Sequence, residues 1–370
     1  MVSAIVTSED MSRLGGYLLR LFAFDAFALL VVTTVLLFLI QCLRIFDVVS
    51  AKGQGIITLI GQGVLSMPPL VVVFLYVCMG IGLGRSLTAL QSSYELHIIH
   101  ANARVKALIA AVLGYALGGA LLVTVLANFV EPGAARQLNL WTAQIAADIV
   151  GRTLVPHRFN QVMPGVVIVI GGRQGNGEIF DFFADDRRDP ESRRTYFARS
   201  ATVAATDDGY ILQMRDGAIQ YHTNDNAFSQ VSFGTYDIDI GRFTTTEGAT
   251  SYAERDSLDL LSEGFSTGEW PDALLKTLVD RASEAIRVVG MSLLVAGIAA
   301  FPSGARGRRR IPLELIVLIV AFSERSLSAY APLPSYLQTL AGVTVILVFA
   351  LAIVLYRLRV FAPVPHRVGA

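Results

Sequence analysis

The chain has 370 residues, of which 53% are hydrophobic and 16% charged, with 30 basic residues against 30 acidic and a formal charge of zero. An ordinary soluble domain carries about 25% charged residues, so this composition points to a bilayer. The balanced charge gives no support to a polyanion-binding surface, and no nucleic-acid partner is expected.

From the N-terminus, an apolar run from Leu21 to Ile40 follows a basic start, with no small-residue cleavage site after it, and reads as a retained first span. Translation from Met1 or from Met11 is consistent with this start. A span needs about 20 mostly apolar residues. Six segments qualify, at roughly 21–41, 56–84, 107–130, 282–302, 311–332 and 336–356. Pro68-Pro69 should kink or break the second. Arg287 interrupts the fourth and must snorkel or pair. Cys42 and Cys78 lie in or beside apolar runs and read as buried hydrophobes rather than a disulfide.

Between the second and third spans stands a short polar stretch, "SSYELHIIHANARVKALI". Helical spacing makes it a surface helix that presents Leu96, Ile99 and Ala103 beside polar groups, a shape suited to a partner protein. His97 and His100 share a face, but no third ligand follows at metal spacing, so contact with a partner is preferred to a metal site.

The segment 131–281 changes character. After an amphipathic link, "ARQLNLWTAQIAADIV", come runs rich in β-branched and aromatic residues: "GVVIVI", "GEIFDFF", "RTYFARSATVAA", "GYILQMR", "GAIQYHT" and "FSQVSFGTYDIDI". Asn176-Gly177, Asp208-Gly209 and Asp216-Gly217 are expected to supply hairpin turns. Tyr236, Ile238 and Ile240 alternate with Asp237 and Asp239, which predicts one apolar face and one wet face. A sandwich or jelly roll fits, with "TTTEGATSYAERDSLDLLSEG" as the return linker. "GGRQGNG" lacks the Lys-Ser/Thr ending of a phosphate loop and is expected to be a hairpin loop, so the chain has no recognisable ATP site of its own.

Basic residues mark the orientation. Arg13, Arg20, Arg85, Arg104, Lys106, Arg306, Arg308, Arg309, Arg310, Arg357, Arg359 and Arg367 collect on one side, against Arg44 and Lys52 on the other. Both termini are therefore expected in the cytoplasm and the β-rich segment outside. Asp25 reads as interfacial. Glu324 and Arg325 lie deeper, and either they face a protein-lined cavity or their helix ends early at the outer interface. Arg44 and Asp47 read as interfacial anchors, or Arg44 as a contact for an anionic headgroup.

The layout of three spans, an outer β domain, three more spans and a basic loop resembles the LptF/LptG permease family of the lipopolysaccharide export transporter. The stretches that carry the resemblance are "YLLRLFAFDAFALLVV", "QCLRIFDVVSAKGQG", "SSYELHIIHANAR", "PHRFNQVMPGVVIVIG", "FFADDRRDPESRRTYFARSATV" and "FPSGARGRRR", with "HRFN" and "DRRDP" closer to the LptF branch. The resemblance implies a helical inner-membrane protein of six spans with an inserted periplasmic jellyroll-like domain. Domains would run 1–130, 131–281 and 282–370. The stretch at about 90–104 would be a coupling helix docked on an LptB-type ATPase dimer, with Glu95 as the family carboxylate and His97, His100 and Arg104 in support. The first and fifth spans would line a cavity for lipopolysaccharide, giving Arg44, Asp47, Glu324 and Arg325 as candidate substrate-binding residues. The implied partners are an LptG-type subunit and the jellyrolls of LptC and LptA. No cofactor is expected on this chain, ATP being hydrolysed by the partner, and no catalytic residue is assigned. Rival readings are an intramembrane metal-dependent hydrolase using His97 and His100, a membrane-anchored periplasmic sensor or scaffold, and the paralogous LptG-type subunit.

Overall fold

The computed structural model describes residues 8–51, 56–102, 104–148, 154–163, 165–174, 177–189, 192–206, 209–223, 228–239, 250–302 and 312–360. Lys52, Ala103, Asn176, Asp208, Ile240, the basic cluster Arg306 to Arg310 and Arg367 lie outside these residues, as do the side chains of Asp47 and Arg359. The chain forms two compact units, one from Met1–Ala134 with Arg255–Ala370 and one from Ala135–Glu254.

In the helical unit, α1 is Ser8–Ala51, α2 Ile56–Leu65, α3 Met67–Ser92, α4 Glu95–Ala101 and α5 Val105–Val125. A π turn, Leu126–Val130, carries α5 into α6, Glu131–Asp148, which continues into the second unit. The second unit ends with α7, Thr250–Ala253, and after it come α8 Ser257–Thr267, α9 Asp272–Ala299, α10 Leu313–Tyr330 and α11 Ser335–Val360. The stretch read as a return linker thus contains α7 and most of α8.

Among the described residues five helical segments are long and apolar enough to cross a membrane: Arg13–Phe46, Met67–Ser92, Val105–Gln144, Asp272–Ala299 and Ser335–Arg357. The fifth of the six expected segments forms α10, but Glu314, Glu324 and Arg325 within its 18 residues make it too polar for that group. Pro68 and Pro69 break the second segment rather than kink it. They occupy the first turn of α3, whose N–H groups have no acceptor within that helix, so the two missing donors cost α3 no hydrogen bond of its own.

The helical core joins Leu18 and Phe22 of α1, Leu75 and Leu83 of α3, Tyr115 of α5, Met291 of α9 and Val317 of α10. Small residues let the backbones close up. A Cβ on Gly82 would stand 2.6 Å from the Ala26 Cα, so α1 and α3 touch where only glycine fits. Tyr115 buries its ring edge-on to Phe22 and donates its hydroxyl to the Met79 carbonyl at 2.9 Å. Asp25 is held by the fully buried Ser86, whose hydroxyl donates to it at 2.5 Å. Cys78 is buried and donates to Thr33, and neither cysteine is in a disulfide.

The second unit is built on one antiparallel sheet of seven strands: β1 Asn160–Met163, β2 Val166–Val169, β3 Gly172–Arg173, β4 Ile179–Asp186, β5 Ser192–Thr206, β6 Gly209–Thr223 and β7 Phe228–Asp239. The order is β1-β2-β4-β5-β6-β7, with β3 paired to β4. This is the expected inserted all-β domain, and among the described residues its strands are hydrogen-bonded into a single sheet. Gly172 and Arg173 of "GGRQGNG" are themselves strand β3, paired back on β4, and beyond them Gln174 N–H donates to the Glu178 carbonyl as a hairpin requires.

Asp216-Gly217 departs from expectation, because it is no turn. "GYILQMR" and "GAIQYHT" form one 15-residue strand through it, with Asp216 at φ 51°. The flanking pairs place Asp181 level with Arg199, Arg199 with Asp216, and Asp216 with Gly234. Asp181 shares the positive φ, at 48°. Across this line the inward positions change parity in all four strands: Ile179 to Phe182, Ala198 to Ala201, Met214 to Ile219, and Phe233 to Tyr236. A slip of one residue in one strand would turn its apolar side chains to the wrong face. Here four strands slip together, so the ladders stay in register and both halves of the sheet face one core. Tyr236 and Ile238 point into that core while Asp237 and Asp239 are exposed, as the alternation predicts.

At the β4–β5 end, "ADDRRDPESRR" ties itself together. Asp185 accepts from Arg187 Nε at 2.7 Å, Arg193 Nε at 2.7 Å and Thr195 at 3.2 Å, and Asp186 accepts from the Arg188 guanidinium at 2.6 and 2.9 Å. Burial works against the Asp185 carboxylate, but the hydrogen bonds from Arg193 and Arg187 outweigh it and hold its pKa below the usual value.

Candidate functional site

Among the described residues, the buried charged side chains of the helical unit gather on α9 and α10. Helix α9 carries Glu284 and Arg287 one turn apart, and α10 carries Glu324, Arg325 and Ser328. Arg287 donates from Nη1 to Glu284 Oε1 at 2.5 Å and from Nε to Glu324 Oε1 at 2.9 Å. Ser328 adds a hydrogen bond to Glu324 Oε1 at 3.2 Å. Arg325 reaches back to Glu284 at 3.1 Å and lies with its guanidinium 5.6 Å from the centre of the Tyr76 ring on α3. The group holds two acids and two bases, so it is electrically neutral. An unpaired charge away from water is costly, which is why these four are found together.

Helix α11 approaches closely enough to complete the site. A Cβ at Gly342 would fall 2.3 Å from Ser328 Oγ and 2.6 Å from the Glu324 carbonyl. Thr339 also hydrogen-bonds Asp280 on α9. A crevice of about 240 Å³ opens beside Glu324, walled by Leu294, Val320, Val345 and Phe349. Glu324 Oε2 and Arg325 Nε are both buried without a hydrogen-bond partner, 3.9 Å apart.

Of the two arrangements left open for Glu324 and Arg325, the helix does not end early. It runs on to Tyr330, and Glu324 is 3% exposed against Arg287. Arg287 pairs rather than snorkels. Glu284, Tyr76 and Ser328 did not stand out in the sequence. The spacing of Glu284 and Arg287 was a readable signal, but their meeting with α10 was not. Arg44 is elsewhere, exposed near the C-terminal end of α1.

The polar stretch forms α4, only seven residues long, opened by Tyr94 in the left-handed region at φ 64°. Leu96 and Ile99 do not form its outer face. They are 0% and 6% exposed and belong to the helical core, because the i, i+3 pair anchors so short a helix between α3 and α5. The outward residues are Tyr94, Glu95 and Ile98. His100 donates from Nδ1 to the Leu96 carbonyl at 2.9 Å and lies against Phe301, while its Nε2 and the Nε of Arg104 are buried without a partner. His97 is half-buried beside Tyr94.

A family model described as "Lipopolysaccharide export system permease LptF/LptG" matches residues 16–360. This chain belongs to the LptF/LptG family. No curated protein matches it. As an LptF/LptG permease it is a multi-pass membrane protein of the lipopolysaccharide export system, and the ATPase activity of that ABC transporter lies in a partner rather than in the permease. For an LptF/LptG chain the two features above have distinct chemistry. The α9–α10 cluster is a buried, neutral charge network between helices, and α4 is a short, firmly anchored helix with Glu95 on its outer face.

Proposed function

We propose that this chain is the LptF-type permease subunit, which forms half of a transmembrane path for lipopolysaccharide and is driven by an LptB-type ATPase dimer docked on α4. The observation that carries this reading is the build of α4. Leu96 and Ile99 fix it to the same core as α3 and α5, while Glu95 and Ile98 face outward. A force on Glu95 from a closing ATPase is passed to both helices instead of being absorbed by a loose loop. The motion is a population shift between two packings of the bundle.

In this reading His97, His100 and Arg104 support the docked face, Arg44 and Asp47 meet the phosphates at the outer end of α1, and Arg325 lines the path with Glu324 behind it. Both termini lie in the cytoplasm, in keeping with twelve basic residues on that side against two on the other. The sheet unit lies in the periplasm and carries acyl chains on its apolar face toward the LptC- and LptA-type jellyrolls. The paralogous LptG-type subunit is the second reading, because the family match covers both branches.

The test is affinity purification of the chain from its own membranes in mild detergent, with Glu95→Ala alongside. Copurification of an ABC ATPase and a second permease chain is expected. In the variant, ATP hydrolysis should persist while lipopolysaccharide release falls. A chain that purifies without an ATPase overturns the proposal and favours the sensor reading.

A further inference from the structure

A larger recess lies between α1 and α5. It is a half-open groove of about 560 Å³, floored by Leu75 and Met79 of α3. The two walls touch at one end, where a Cβ on Gly114 would stand 3.9 Å from Leu19 Cδ1. Further along α5 they part, and a Cβ on Gly118 would meet nothing within 4 Å. Phe24 and Phe27 of α1 also line the groove and are 70% and 65% exposed, so it opens at the surface of two candidate spans. Apolar walls without filling atoms forfeit dispersion contacts, and hydrocarbon is what a bilayer offers to fill them.

Length and charge say which occupant fits. Along α1 the lining runs from Leu19 and Arg20 to Leu30. At 1.5 Å per residue that is about 15 Å, half of the ~30 Å hydrocarbon thickness. Arg20 immediately precedes the apolar run Leu21 to Ile40, and Leu30 falls at the middle of that run. The groove therefore begins at the edge of the hydrocarbon and stops near its centre. A partner's transmembrane helix would need a seat along the whole thickness, whereas an acyl chain needs the depth of one leaflet. Arg20 is the one charged residue in the lining. It is exposed, and among the described residues it has neither a hydrogen bond nor an ion pair. Asp25, further along α1, is taken by Ser86 and does not line the groove. A guanidinium at the mouth of a one-leaflet groove, with no protein counter-charge, is placed to meet a phosphate.

We infer that the α1–α5 groove is a binding site for an anionic phospholipid, with one acyl chain laid over Gly118 and the phosphate at Arg20. The site is separate from the α9–α10 charge network and does not depend on the subunit assignment. With the termini in the cytoplasm, as proposed above, the lipid belongs to the cytoplasmic leaflet.

The experiment uses the full chain, with the subunits that accompany it, in discs of equal parts phosphatidylglycerol and phosphatidylethanolamine with matched acyl chains, extracted gently and weighed by native mass spectrometry. The wild type should retain phosphatidylglycerol over phosphatidylethanolamine by about fivefold, the factor that one interfacial arginine supplies against an anionic headgroup. Arg20→Gln should bring the ratio to near unity, while Arg20→Lys keeps most of it. Gly118→Leu, whose side chain enters open groove instead of a neighbouring helix, should lower retention of both lipids. Arg85→Gln, at an exposed basic residue outside the lining, should change nothing. A photo-crosslinking side chain in place of Gly118 should label phospholipid. No anionic preference in the wild type, equal loss in Arg85→Gln and Arg20→Gln, retention untouched by Gly118→Leu, or labelling of a second polypeptide in place of lipid would each overturn the site.

Discussion

Arg287 and Glu324, 37 residues apart in the chain, meet at 2.9 Å with side chains only 1% and 0% exposed. Neither could stay charged there alone. Removing one member of a buried pair leaves an uncompensated charge and costs about 3–5 kcal/mol, whereas replacing both by apolar residues is often close to neutral. Arg287→Leu should therefore lower the thermal unfolding temperature of the detergent-purified chain sharply. Adding Glu324→Leu should restore most of it, since Glu284 and Arg325 still balance each other. A double variant no more stable than the single one would refute the network.

Gly82 and Gly118 offer a controlled pair. A Cβ at Gly82 would run into the backbone of Ala26, while one at Gly118 meets nothing within 4 Å. Backbone cannot turn aside as a side chain can, so Gly82→Ala should destabilise the bundle by at least the ~1–3 kcal/mol typical of overpacking. Gly118→Ala should be neutral or slightly stabilising. Thermal melts of the two variants, measured side by side, decide the matter.

In the sheet, Asp216 holds a left-handed conformation that favours glycine, whereas Gly217 would bring a Cβ to 2.1 Å from the Phe197 carbonyl. Asp216→Gly should be tolerated, shifting stability by under about 1 kcal/mol. Gly217→Ala should disrupt the β5–β6 ladder. Hydrogen exchange of the β5 and β6 amides reads both, and equal protection in the two variants would contradict the shared line across the strands.

Asp185 predicts a pH response. Its carboxyl titrates lower in the folded chain than in the unfolded one, because its arginine bonds outweigh its burial. Its contribution is therefore fully present above the unfolded carboxylate value of about 3.9 and is lost as pH falls through the folded value. Hydrogen exchange at the β4–β5 end should accelerate below about pH 4 in the wild type. Asp185→Asn should show the faster exchange at neutral pH too, with little further change in acid. A wild type whose protection is flat through that range would remove the carboxylate from the argument.

Much of this was legible from the chain itself. Apolar runs of about 20 residues declare spans because hydrocarbon leaves no other partner for backbone polar groups. Pro68-Pro69 announced a break, and the β-branched runs announced strands. Asp216-Gly217 shows where local reading stops. The same preference for positive φ makes a hairpin turn or a kink within a strand, and only the neighbours at Asp181, Arg199 and Gly234 select the kink.

The sites divide in the same way. Arg287, Glu324 and Arg325 were conspicuous as charges in apolar segments, so the sequence by itself determined that something must neutralise them. It also determined that a polar helix follows α3 and that the inserted segment is β. Tertiary structure decided the rest: that Glu284 supplies the missing charge, that Leu96 and Ile99 turn inward and leave Glu95 outside, and that one sheet with a common slip encloses the β core. The reason is physical. Local pattern fixes which groups need partners, but which partner is within 3 Å depends on how helices and strands distant in the chain pack.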